Sequence, residues 1–287
     1  MRFNPKSLVL LFTYKGSLIK RLLGGMSIIT LITVVLCYLQ LEGHISILHL
    51  SNTLPGYMGA ALGLLLVFRN NTAYDKWWEA RKELGALVNV SRNMAISLNG
   101  LLPPNHPEKF RIAHLLTTFV NTMRSHLGKG VVESDLKELN TEDHTLVSQA
   151  VHKPVVVANM MMSRIEWLWK EKLISDMQQY LLMTKIHTMV DVLGKCERIK
   201  NTPIPMAYGF LLKFFIILYV MILPFGLLDD LGWWSVPLVI ILYYILMSIV
   251  LTAEEIEEPF GKDLNDLPFD EMAENIQQNV HEIVRQD

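Results

Sequence analysis

Apolar positions along the chain gather into long windows, and between them the polar stretches keep a helical period. Residues 22–41, LLGGMSIITLITVVLCYLQL, carry no charge, and about twenty such residues in a helix cover the roughly 30 Å of bilayer hydrocarbon. Residues 231–252, LGWWSVPLVIILYYILMSIVLT, have the same character. Residues 203–228 are interrupted only by Lys213, and residues 43–68 are charge-free, with Pro55 and Gly56 delaying the start of their helix. These windows predict four transmembrane helices.

The second window does not end as a span usually does. In FRNNTAYDKWWEARKELG, residues 68–85, the chain turns polar directly after Phe68, with no proline and no glycine until Gly85. The pattern predicts one helix from near Pro55 to Asn99-Gly100, stopped by Pro103-Pro104. Leu84, Leu87, Val88, Ser91, Ala95 and Leu98 make a stripe that buries one side of its polar half. Residues 107–126 predict a further helix, followed by the flexible GKG at 128–130, then a polar region to about 153. From residue 154 to 196 the pattern is helical again, with Leu182, Ile186, Met189, Val190 and Leu193 on one face. A closing helix places Phe269, Met272, Ile276, Val280 and Val284 along one side. Period-2 alternation is absent.

The expected fold is therefore an all-α membrane protein: four transmembrane helices and a helical cytoplasmic domain. Residues 1–70 hold an interfacial lead-in (1–20) and spans one and two. Residues 71–200 form the cytoplasmic domain, 201–253 spans three and four, and 254–287 an acidic segment and final helix. Lysine and arginine set the orientation. Arg2, Lys6, Lys15, Lys20 and Arg21 precede the first span, the stretch from Arg69 to Lys200 is rich in both, and the connections EGHISILHLSNT and LDDLGWW have neither. The positive-inside rule then makes both termini and the middle segment cytoplasmic.

Composition adds exclusions. The first apolar run is too long for a signal peptide and lacks a cleavage site. Cys37 and Cys196 alone make no disulfide framework. A net charge of −2 without a basic tract gives no reason to expect nucleic acid. Catalytic signatures are missing: HEIV at 281 lacks the second histidine of a zinc protease helix, and no phosphate-binding glycine loop occurs. No enzyme activity and no cofactor are expected. The nine histidines look scattered, and none is assigned to a metal.

The second span carries more specific chemistry. Gly59 and Gly63 form a small-xxx-small pair that lets helices approach closely, either in ordinary helix packing or, if several copies surround an axis, onto the next subunit. Ala60, Leu64 and Phe68 recur every four residues on an adjacent face. Several copies around an axis would make that face a narrow apolar constriction, which gates by dewetting.

Three stretches, FRNNTAYDKWWEARKELGALVNVSRN (68–93), CERIKNTPIPMAY (196–208) and EIEEPFGKDLNDLPFD (255–270), closely resemble the bacterial bestrophin homologues, and the resemblance extends over essentially the whole chain. It implies a homopentamer of helical subunits around one long central pore in the cell inner membrane, passing small ions passively. Its partners would be further copies of the chain, the lipid bilayer and small inorganic ions. The family's three-residue neck falls on Ala60, Leu64 and Phe68, with Ala60 smaller than usual, so the outer ring should be wider. Trp77 and Trp78 would anchor the membrane exit at headgroup depth. A cytoplasmic aperture would fall within Met177, Gln178, Tyr180 and Leu181. The calcium-binding segment of animal members corresponds to a degenerate run here, keeping Asp263 and Asp266 but carrying Lys262, Leu264 and Asn265, so no calcium or other metal is expected. Glu254, Glu255, Glu257 and Glu258 would pair with Arg69, Lys76 or Arg81, and Lys213 would snorkel to the interface. Chloride or another anion is the family default. Monovalent cation conduction is the rival, for which Asp229 and Asp230 argue, and a non-conducting membrane scaffold is a third reading. Secondary transport would predict an internal repeat, and none is seen.

Overall fold

A computed structural model describes residues 18–42, 53–128, 130, 133–263 and 265–285. Most of the lead-in, the greater part of the first outer connection, Lys129 and Leu264 lie outside the described residues. The described helices are α1 (Leu18–Leu41), α2 (Thr53–Leu101), α3 (Pro107–Leu127), α4 (Thr141–Gln149), α5 (Lys153–Lys170), α6 (Asp176–Asn201), α7 (Met206–Leu231), α8 (Ser235–Glu257) and α9 (Phe269–Arg285), with short 3-10 turns at Glu133–Leu136 and Gly232–Trp234. There is no strand among the described residues. The chain divides into two compact units, Met1–Asp75 with Pro203–Glu257, and Lys76–Thr202 with Glu258–Asp287.

In the first unit α1, the apolar start of α2, α7 and α8 share one core. Ile29, Leu62, Leu66, Leu212, Ile216, Val220, Val239 and Val250 meet there. α7 and α8 run antiparallel, since Lys213 and the Ile204 backbone N–H near the start of one reach Glu254 and Glu257 at the end of the other. Two stretches of the described residues are long and apolar enough to cross a membrane, Leu18–Leu41 and Met206–Glu257, the second comprising α7, its turn and α8. Only 22% and 28% of their apolar windows are buried within the chain. The core helix of a soluble protein would hide most of such a window; here Leu31, Tyr38, Phe210, Phe214 and Ile241 point outward. Hydroxyls inside α1 are satisfied locally: Ser27, Thr30 and Thr33 donate to the carbonyls four residues back, as an apolar surrounding requires.

The second unit is built around α3, which packs most extensively on α5 and α9. Leu84, Leu87, Leu98, Ile112, Phe119, Met161, Ile186 and Ile276 are among its fully buried core. The local signals that start these helices are explicit. His106 caps α3 with its Nδ1, Pro107 occupies a first-turn position, and Asn140 accepts from the Asp143 N–H to cap α4. α9 buries Phe269, Ala273, Ile276, Val280 and Val284, spaced three or four apart, and leaves its acidic side outside.

The helical stretch 154–196 is divided between two helices, α5 and α6. Lys172 takes a left-handed φ of 59° that stops α5, and Ser175 with Gln178 closes a reciprocal capping box that starts α6. The polar region before residue 153 also contains a helix, α4.

Candidate functional site: an apolar helix face above a buried arginine

The apolar half of α2 turns one side into its own unit and leaves another bare. Leu62 and Leu66 are buried, whereas Leu64 and Phe68 keep 57% and 56% of their surface exposed and Ala60 is exposed beside them. The three residues expected to form a neck thus share an uncovered face within one chain. Directly after it comes Arg69, only 4% exposed. Its Nη2 donates to Glu257 Oε2 at 2.5 Å, and Glu257 Oε1 accepts the Ile204 N–H at 2.6 Å. One carboxylate therefore ties α2 to the start of α7 and the end of α8. Arg69, Thr72, Ile204, Pro205, Ala207, Tyr208 and Leu211 line a hollow of about 570 Å³ beside this pair.

The other glutamates choose partners the sequence did not indicate. Glu255 pairs with Arg21 at 2.8 Å and Glu254 with Lys213 at 2.7 Å. Lys213 is thus neutralised by a carboxylate from α8, a stronger reason for its place than snorkelling alone. Arg69 makes its expected contact, with Glu257.

Gly59 serves close packing within the chain. A Cβ there would lie 3.1 Å from Tyr219 Oη, so its small size serves packing against α7 of the same chain, while Gly63 faces open space. Trp77 is partly buried: it packs against the core of the second unit and its indole N–H donates to the Asn265 carbonyl at 3.0 Å. Trp78, stacked on it at 6.5 Å, remains half exposed.

In that segment Asp266 Oδ2 accepts the Asp263 N–H at 2.5 Å, closing a turn from within. Phe260 and Leu267 are buried on either side of it. At the start of α6, Met177 and Tyr180 are 75% and 70% exposed and Leu181 is exposed beside them. Gln178 has its side chain occupied: Oε1 accepts the Ser175 N–H at 2.8 Å.

Sequence reading missed one cluster. His126, His152 and Glu197 come together, each imidazole Nε2 2.7 Å from Glu197 Oε1. The histidines that look scattered along the chain are not all scattered in space. Nothing in their spacing gives the grouping away, because the end of one helix, the residue before a second and the end of a third supply them.

The fold and this site define a helical membrane protein with an unfilled apolar face leading to a buried ion pair. The chain belongs to the bestrophin family: the family described as bacterial/fungal bestrophin protein matches residues 1–282. A Synechocystis protein named voltage-dependent anion channel-forming protein is 35% identical over 229 residues, 78% of this chain and 75% of that one. The voltage-dependent anion channel-forming protein YneE of Escherichia coli K12 is 33% identical over 224 residues, 77% of this chain and 72% of its own. Among solved structures, a variant of the bacterial bestrophin homologue from Klebsiella pneumoniae superposes with a TM-score of 0.85 at 27% identity, covering 93% of this chain and 100% of that one.

Proposed function

We propose that this chain forms a homopentameric anion channel of a bacterial inner membrane, with four spans per subunit and both termini cytoplasmic. Ala60, Leu64 and Phe68 line its neck, and Met177, Tyr180 and Leu181 the cytoplasmic aperture, with Gln178 held in the capping box that starts their helix. The observation that carries this reading is the uncovered Ala60–Leu64–Phe68 face on a helix whose opposite side, at Leu62 and Leu66, is packed. Copies of the chain around an axis would cover the flanks of α2 and leave this face on water. A neck of alanine, leucine and phenylalanine holds no fixed charge, so it passes ions by width and wetting, and charge selection falls to its mouths. The names of the relatives favour anions.

A cation-conducting channel of the same architecture is the second reading. Asp229 and Asp230 are exposed at the end of α7, where carboxylates would gather cations. Asp229 is partly occupied, accepting from Gln40 Nε2 at 2.6 Å. Purified protein in a planar bilayer under a potassium chloride gradient separates the two. The anion channel gives a reversal potential near that of chloride; a value near that of potassium establishes the cation reading, and electrical silence leaves a scaffold.

A further inference from the structure

We propose that His126, His152 and Glu197 form a binding site for a divalent transition metal of the zinc class. His126 lies in the last turn of α3, His152 immediately before α5, and Glu197 near the end of α6. Their ligand atoms all fall within 4.8 Å of one another. The two rings lie 4.7 Å apart between centroids, tilted by 40°, so neither blocks the other's approach to the carboxylate. Both Nε2 atoms are 2.7 Å from the same oxygen, Glu197 Oε1.

Without a metal, that oxygen must accept two N–H groups at once. One cation in place of the two protons satisfies all three side chains together. Two imidazoles and a carboxylate are a known zinc donor set, with a water completing the tetrahedron. Nitrogen-rich ligation favours zinc and its transition-metal neighbours over calcium or magnesium. Bonds of about 2.0–2.1 Å place tetrahedral ligands about 3.3 Å apart. Each ring then retreats by roughly half an ångström, a small rotation of a side chain. The three side chains are a quarter to somewhat over a third exposed, which leaves room for the water. His152 meets Glu197 through Nε2, and its Nδ1 is buried without a hydrogen-bond partner. Lys200 Nζ donates to the His126 carbonyl at 3.0 Å, fixing the end of α3 where the site is built. A metal here joins three helices far apart in sequence, so its binding adds to the stability of the folded unit.

The test uses the full chain purified in detergent, with zinc itself as the probe. Bound zinc is counted by mass spectrometry after equilibrium dialysis, and affinity is measured by calorimetry. His152→Ala and Glu197→Gln are compared with His114→Ala, a control histidine that stacks on His281 elsewhere in the unit. The parent and the control should bind one zinc per chain, and the two site variants should bind it about tenfold more weakly or worse. Zinc should raise the melting midpoint of the parent and of neither site variant. Glu197→Gln keeps the shape and hydrogen-bonding capacity of the side chain, so the test survives if His152→Ala folds poorly. Equal zinc affinity in parent and site variants, or no bound zinc in the parent at about 10 µM free metal, overturns the proposal.

Discussion

Gly25 lies against Tyr243 so closely that a Cβ added there would stand 2.1 Å from the phenol oxygen and 2.9 Å from Cζ. The contact joins α1 to α8, and Tyr243 is almost fully buried, so the ring has little freedom to retreat. Gly25→Ala should therefore destabilise the first unit by about 1–3 kcal/mol, the usual cost of overpacking. Tyr243→Phe removes the atom in worst conflict, and the double variant should recover part of the loss. Thermal melts in detergent provide the comparison. A Gly25→Ala melt equal to the parent's would mean the two helices are set further apart than described.

Glu257→Gln should be more damaging than any change at the other glutamates. It leaves the Arg69 guanidinium buried without its counter-charge, and breaking such a pair from one side costs about 3–5 kcal/mol. Lys213→Met removes a pair whose members are each about a third exposed, and such a loss is worth about 0–1 kcal/mol. Melting midpoints of the two variants, measured side by side, should differ by many degrees in that order.

Cys196 predicts a pH effect. Burial first, and then the nearby Glu83 carboxylate, push its thiol up from 9.0 to about 12. The folded state thus holds the proton where the unfolded chain would release it. The resulting stability is fully present below pH 9 and is lost as the pH rises from 9 towards 12. Thiol reagents at pH 8 should leave Cys196 unmodified in the folded protein and react once it is denatured. Rapid labelling at pH 8 without unfolding would contradict this.

Much of this architecture is legible in the residues themselves. The charge-free window before Leu41, the uninterrupted passage from Phe68 into Arg69, and the Leu84–Leu98 stripe each depend on local periodicity, which sequence displays directly. The break between α5 and α6 is harder, because it turns on Lys172 adopting a backbone conformation usually marked by glycine or asparagine. The signal present is Ser175 with Gln178 three residues on, and it is outweighed by the apolar pattern on both sides. Partner choice is harder still. Glu254 meets Lys213 and Glu255 meets Arg21 only because α7 and α1 both flank α8, a matter of packing and not of spacing. His126, His152 and Glu197 were invisible for the same reason.

The neck makes a prediction about conduction. Leu64→Ala or Phe68→Ala removes apolar bulk from the face that would drive water out, so the constriction widens and stays wet. Each variant should carry larger currents than the parent in planar bilayers. Parent-like currents from both would place the narrow point elsewhere.

The most direct test of a water-lined Ala60–Leu64–Phe68 face is chemical access during conduction. The natural thiols, Cys37 and Cys196, are both buried, so the parent supplies a silent background. A charged, water-soluble methanethiosulfonate added to Leu64→Cys or Phe68→Cys channels should change their current promptly and leave the parent's current unaltered. If neither variant responds, while both are labelled by a lipid-soluble maleimide, the face is turned to the bilayer and the proposed pore is wrong.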